Sequence, residues 1–248
     1  MPEAPTIKIL AEKARQFIGQ KVQTAEGSVN PEIKKKIITK EVTDVRTYGK
    51  QLLICFPDLT ITVHLMLFGS YRVNQSKPGK LTLGLKFPEG ELNFYASVVK
   101  LIEKPLDETF DWRTEVMNEK FQPDLALSKL QGMPDTLICD ALMDQNIFTG
   151  IGNKIKDEIL FAVRLHPLNK IKDIPKKKLS ELIKEGVRYS SQRLEWLRED
   201  VADEKLVIHY QKECPRDKIP AVKQKIGKTD RTSYFCDKCQ QLYGHRDG

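Results

Sequence analysis

The chain has 248 residues, 40% of them hydrophobic and 30% charged, which is enough to bury a core in one large domain or two smaller ones. No apolar run approaches the ~20 residues of a membrane span, and the opening residues alternate charge with apolar groups, unlike a signal peptide. A net charge of +7 fits either a polyanionic partner or a basic solvated surface, and charge alone does not choose between them.

The chain opens Met1-Pro2-Glu3. A small residue at position two lets an initiator methionine be removed, which would leave Pro2 with a free secondary amine. An α-amino group titrates near pH ~8, so a useful fraction is nucleophilic at neutral pH. Such an amine can form an iminium at a sugar C1′, and Glu3 beside it is a candidate general acid or base. Many chains begin Met-Pro for no catalytic reason, so the pair is a weak signal alone. Ile7, Leu10, Ala11, Ala14 and Phe17 then predict a helix over 6–17 that would hold the terminus in place.

From Val22 to about Glu103 the pattern is β, with predicted strands at 33–38, 51–56, 61–65, 70–73, 81–87 and 92–95. Pro57-Asp58, Pro78-Gly79 and Pro88-Glu89-Gly90 separate them, and such spacing predicts a sandwich or barrel. Lys34, Lys35 and Lys36 read as a solvated strand face. Met66, Leu67 and Phe68 fall in a gap between two strands, where they either join the core or stay exposed for an aromatic stack.

Residues 103–108 shift in composition and read as a linker. Helices are predicted over 125–130, 136–148, 153–165 and 177–198. Between the second and third, Gly150-Ile151-Gly152-Asn153 has room only for a tight turn. Its glycines allow close backbone approach, and Asn153 with the free N–H groups of the new helix suits a phosphate oxygen. Glu158 reads as a structural anchor for that turn rather than a catalyst, and His166 as a helix-end residue.

Five cysteines (Cys55, Cys139, Cys214, Cys236 and Cys239), an odd number without a secretion signal, point to a reducing cytosol rather than a disulfide framework. Cys214-Pro-Arg-Asp217 and Cys236-Asp-Lys-Cys239 bracket a segment laid out like a two-stranded zinc ribbon. Asp217 stands where a fourth cysteine would make the signal strong. A single Zn2+ held by three cysteines and completed by His209 or Asp217 is expected, with His209 the better nitrogen donor if it turns inward. A metal-free hairpin is the alternative.

Taken together, these segments resemble the formamidopyrimidine-DNA glycosylase/endonuclease VIII family. Carrying the resemblance are Pro2-Glu3, Gly49-Lys50-Gln51-Leu52-Leu53, His64 through Gly69 to Arg72, residues 144–161, Leu165-His166-Pro167-Leu168 and Arg231-Thr232-Ser233-Tyr234-Phe235-Cys236. Thr6 departs from the family's usual Glu, and Ser233 from its threonine. Glu91 to Val98 is similar to the endonuclease VIII branch and lacks the Arg-Phe pair of the 8-oxoguanine branch.

The resemblance implies an α+β fold in three parts. These are an N-terminal catalytic β-sandwich with a leading helix (1–104), a helical helix–two-turn–helix domain (105–204) and a zinc-finger-like β-hairpin (205–248). It implies a monomeric base-excision enzyme of the bacterial cytosol or nucleoid that acts on damaged double-stranded DNA as a glycosylase and AP lyase, favouring oxidised pyrimidines. Pro2 would be the nucleophile, Glu3 the proton shuttle, and Lys50, Asn153 and Arg231 the phosphate grips. Leu67, flanked by Met66 and Phe68 and preceded by His64, would fill the gap left by a flipped base. A non-catalytic damage-binding relative, or a glycosylase of the purine-lesion type, are the other readings.

Overall fold

The computed structural model describes residues 2–244. The chain divides into two compact units between Asp111 and Trp112.

The first unit opens with helix α1 (Ala4–Ala14), which begins at Pro5 in its first turn and continues as a 3-10 turn to Phe17. Its Ile7, Leu10, Ala11 and Ala14 are buried, as their spacing requires. Six strands follow: β1 (Thr24–Glu26), β2 (Asp44–Tyr48), β3 (Gln51–Cys55), β4 (Thr60–Val73), β5 (Leu81–Phe87) and β6 (Gly90–Ile102). They form one antiparallel sheet in the order β1-β5-β6-β4-β3-β2. A single core cluster draws on both limbs of that sheet, Leu52, Ile54 and Ile61 on one side and Leu83, Leu85 and Phe94 on the other. The layers expected of a sandwich are therefore joined through the long strands β4 and β6.

Two predicted strands come out differently. Residues 33–38 belong to helix α2 (Pro31–Ile37), because the Asn30 side chain accepts from the Glu32 N–H at 2.8 Å and Pro31 sits at the first helical position. Ile33 and Ile37, four apart, then share the buried face. Lys34 and Lys36 are not a strand face: Lys34 Nζ donates to Gly27 O at 3.0 Å and Lys36 Nζ to Glu103 at 2.8 Å. The strands predicted at 61–65 and 70–73 are one strand, β4, with a break in register between Leu65 and Ser70. Leu65 pairs with Ser97 and Ser70 with Tyr95, so four residues of β4 lie opposite the single residue Ala96 of β6.

The second unit holds α4 (Pro123–Gln131), α5 (Ile138–Ala141), α6 (Asn153–Ala162) and α7 (Lys176–Arg198), then the hairpin β7 (Val222–Ile226) and β8 (Arg231–Phe235); a short α3 (Leu106–Thr109) precedes it in the first unit. The helix predicted over 136–148 survives only as α5. After Ala141 the polar side chains compete with the helix for the backbone. Asp144 accepts from the Asn146 N–H, and Gln145 bonds the carbonyls of Met143 and Ile151 and the N–H of Gly150. These bonds shape the turn into α6, where Gly150 takes a φ of 107°. Ile155, Ile159, Leu160 and Val163 are buried in the core of this unit, where Gly186 on α7 leaves room for Ile151 and Ile159. Among the described residues no helix is long and apolar enough to cross a membrane.

Candidate functional site

In the first unit Glu3 caps α1, accepting the Ile7 N–H through its carbonyl, and its side chain is buried. Pro2 stands just ahead of it, half-buried, on the wall of a cleft of about 680 Å³. Thr6, Lys13, Ser70, Tyr71, Arg72 and Gln75 share that wall. The cleft offers cationic and hydroxyl donors: Lys13, Arg72, and a Ser70 hydroxyl that is buried with no partner among the described residues. Burial pushes the Tyr71 phenol up, so it stays neutral and can donate. Met1 lies outside the described residues.

Lys50 sits in the two-residue loop joining β2 and β3, where Gly49 takes a φ of 53°. Its side chain is buried, unlike an ordinary exposed hairpin lysine. His64, on β4, places Nδ1 3.2 Å from the Lys50 carbonyl oxygen and so steadies that loop.

The register break explains the next three residues. With four residues opposite one, Met66, Leu67 and Phe68 are extruded, and they are 47%, 48% and 86% exposed. They do not join the core. Gly69 closes the bulge, since a Cβ there would lie 2.6 Å from Met66 N and 2.7 Å from Ala96 O.

In the second unit Asn153 is the first residue of α6. Its side chain does not simply face outward: Nδ2 donates to Thr232 O at 2.7 Å, and Oδ1 accepts from Lys156 Nζ at 2.8 Å. Arg231, the first residue of β8, is half-buried and pairs with Ile226 across the hairpin, and its guanidinium makes no hydrogen bond among the described residues. The structure thus brings Asn153 against the same strand that carries Arg231. Lys156 and Asp157 were not singled out from the sequence. Lys156 falls three residues after Asn153, one helical face on, and that spacing was the available signal. Glu158 is structural, but it anchors the loop at Val207–His209 rather than the turn before α6, accepting from the N–H groups of Val207, Ile208 and His209.

Cys214, Asp217, Cys236 and Cys239 bring one ligand atom each to within 4.8 Å of one another. Cys214 Sγ is 3.8 Å from Cys239 Sγ and 3.5 Å from Asp217 Oδ2, and Cys236 Sγ is 3.3 Å from that oxygen. Burial pushes the Cys239 thiol up to about 12, whereas the Cys236 thiol, donating to Asp217, holds that carboxyl below its ordinary value. This set could hold a metal ion. His209 is not part of it: its Nδ1 lies 2.6 Å from Asp157 Oδ2, and its ring packs against both Tyr210 and Tyr234, which also contact each other. Of the two candidates for a fourth position, Asp217 lies with the cysteines, whereas His209 is occupied in tying α6 to the loop before the hairpin. His166 likewise has a structural setting, 2.9 Å from Asp237 and edge-on to Phe235.

Residues 1–97 match the formamidopyrimidine-DNA glycosylase N-terminal domain, and residues 113–195 match the formamidopyrimidine-DNA glycosylase H2TH domain. The chain is 27% identical over 206 residues to endonuclease 8-like 3 of Mus musculus, covering 79% of this chain and 34% of that protein, so it spans about a third of that relative's length. It is 34% identical over 163 residues to a formamidopyrimidine-DNA glycosylase of Lactobacillus gasseri, covering 61% and 59% of the two chains. Its fold is similar to that of the Lactococcus lactis formamidopyrimidine-DNA glycosylase solved on DNA containing an AP site, with a TM-score of 0.86, 21% identity, and 96% and 99% of the two chains covered. Two domain models of one family, which between them match most of the sequence, agree with the motifs and the fold: this chain belongs to the formamidopyrimidine-DNA glycosylase/endonuclease VIII family.

Proposed function

We propose that the protein is a base-excision DNA glycosylase with AP-lyase activity that acts on oxidised bases, pyrimidines favoured, in damaged double-stranded DNA. The observation that carries this reading is Pro2 on the wall of a donor-rich cleft, with Glu3 buried directly behind it at the cap of α1. With Met1 removed, the Pro2 amine attacks C1′ of the flipped nucleotide and displaces the base, leaving an iminium. Loss of a C2′ proton then expels the 3′ phosphate, and a second elimination expels the 5′ phosphate. Glu3 moves protons in these steps. Lys13, Ser70, Tyr71 and Arg72 offer hydrogen bonds to the carbonyl-rich edge of an oxidised base.

Leu67 enters the vacated stack, with Met66 and Phe68 beside it; three adjacent apolar side chains held out in water by a bulge support that role. Lys50, Asn153 and Arg231 grip phosphates, Arg231 through its forked donors. A Zn2+ ion fits the three-cysteine and aspartate set. Tetrahedral bonds of ~2.3 Å to sulfur and ~2.0 Å to oxygen separate two sulfurs by ~3.8 Å and a sulfur from an oxygen by ~3.5 Å. The cluster shows 3.8 Å between the Cys214 and Cys239 sulfurs, and 3.5 and 3.3 Å from the Cys214 and Cys236 sulfurs to the Asp217 oxygen. Its part is structural, fixing the hairpin that presents Arg231.

Cleavage assays on duplexes carrying thymine glycol or 8-oxoguanine test the reading. Nicking of the thymine-glycol strand by wild type but not by Pro2→Leu, whose bulky second residue keeps Met1 in place, supports it. Preference for 8-oxoguanine would move the protein to the purine-lesion type.

A further inference from the structure

Lys156 is 2% exposed, at the third residue after Asn153 on α6. Burying an ammonium is costly unless its donors are matched, and an apolar side chain of the same length would pack there without that cost. Its three donors have three partners: Asn153 Oδ1 at 2.8 Å, Ser233 Oγ at 2.5 Å and Asp157 Oδ1 at 3.3 Å.

The arrangement decides how Asn153 faces. The two ends of a carboxamide are nearly the same shape, and either could turn toward the hairpin. An ammonium only donates, so the end beside it must be the oxygen. That leaves Nδ2 toward β8, where one N–H goes to Thr232 O at 2.7 Å and the other stays available. The same ammonium holds Ser233, two residues beyond Arg231 on the same strand. Asp157 completes the tie, accepting the Tyr234 N–H at 3.1 Å.

The geometry points to Lys156 as a positioning residue for the backbone grip. It fixes the Asn153 amide with its N–H side free for a phosphodiester oxygen, and it sets β8, which carries Arg231, in register with the start of α6. This rests on the phosphate-binding role proposed above for Asn153 and Arg231. Lys156 itself touches no DNA; it acts through its neighbours.

The test has one arm without DNA and one with it. In the wild-type protein, nitrogen-15 NMR should show a slowly exchanging Lys156 ammonium and an Asn153 side-chain amide displaced from its free position. In Lys156→Met, with melting temperature and zinc content checked, the Asn153 amide signal should move to the free position. An ammonium that exchanges as fast as surface lysines, or an Asn153 signal unmoved by the substitution, overturns the proposal whether or not the protein binds DNA.

On a duplex with an abasic site, losing one charge-assisted hydrogen bond should weaken binding about tenfold. The slope of affinity against salt should not change, because the buried charge neutralises no phosphate. In an Asn153→Ala background, Lys156→Met should cost less than it does alone, because only its hold on Ser233 and β8 is then left to lose. Additive losses, or a slope that falls by about one ion, would overturn the assignment.

Discussion

One carboxylate oxygen of Glu158 accepts two consecutive backbone N–H groups, Ile208 at 2.9 Å and His209 at 2.8 Å. The N–H of Val207 reaches both oxygens of the same group, at 3.1 and 3.0 Å. A side chain from α6 thereby ends the loop that leads to the cysteine cluster. Glu158→Ala strands these donors where water reaches them poorly, and it should lower unfolding stability by about 3 kcal/mol in urea titrations. Glu158→Gln, which keeps one acceptor oxygen, should lose less. Equal losses in both would show that the charge, not the acceptor, matters.

Metal binding separates the two candidate fourth ligands. Asp217→Ala should release zinc to a chelator at lower concentration than wild type, because it removes a ligand atom from the cluster. His209→Ala should keep one zinc per chain while losing stability, since its imidazole bonds Asp157 rather than a cysteine-bound ion. Zinc retained by Asp217→Ala and lost by His209→Ala would reverse the assignment.

Phe68→Ala and Leu67→Ala should leave the melting temperature almost unchanged, because exposed side chains away from the core shift stability by only about 0.5 kcal/mol or less. Lesion excision should fall roughly tenfold or more, since filling an unstacked step is worth a few kcal/mol. A clear loss of stability with excision intact would place these residues in packing instead.

Asp203 is held below the usual carboxylate range, first by its hydrogen bond from Lys154 and then by one from Arg193, at 2.8 and 2.9 Å. Its folded value lies below its unfolded one, so the stability it adds is present above pH ~4 and is lost as pH falls through the folded value. Asp203 is largely exposed, so the gain over Asp203→Asn should be under about 1 kcal/mol at pH 7. Acid titration of both proteins should show that gap closing toward pH 3.

The sequence was most legible where side-chain type alone decided the outcome. The buried faces of α1, α6 and α7, the strand pairs around Gly49-Lys50 and the cysteine cluster needed only periodicity, turn residues and spacing. It was least legible where a side chain bonds the backbone. Asn30 turns residues 31–37 into a helix, and Gln145 and Asp144 dissolve the helix expected over 136–148. The extrusion of Met66 to Phe68 depends on a register break with β6, which β4 alone does not reveal. His209 was equally hidden, because its partner Asp157 lies 52 residues earlier in the chain.

Borohydride trapping on a duplex bearing an abasic site or an oxidised pyrimidine tests the central claim most directly. If the Pro2 amine forms an iminium with the sugar, reduction should leave a covalent protein–DNA species in wild type, and none in Pro2→Leu, whose bulky second residue keeps Met1 in place. A protein that shifts the same duplex but never becomes trapped would contradict the account and leave a damage-binding relative in place of an enzyme.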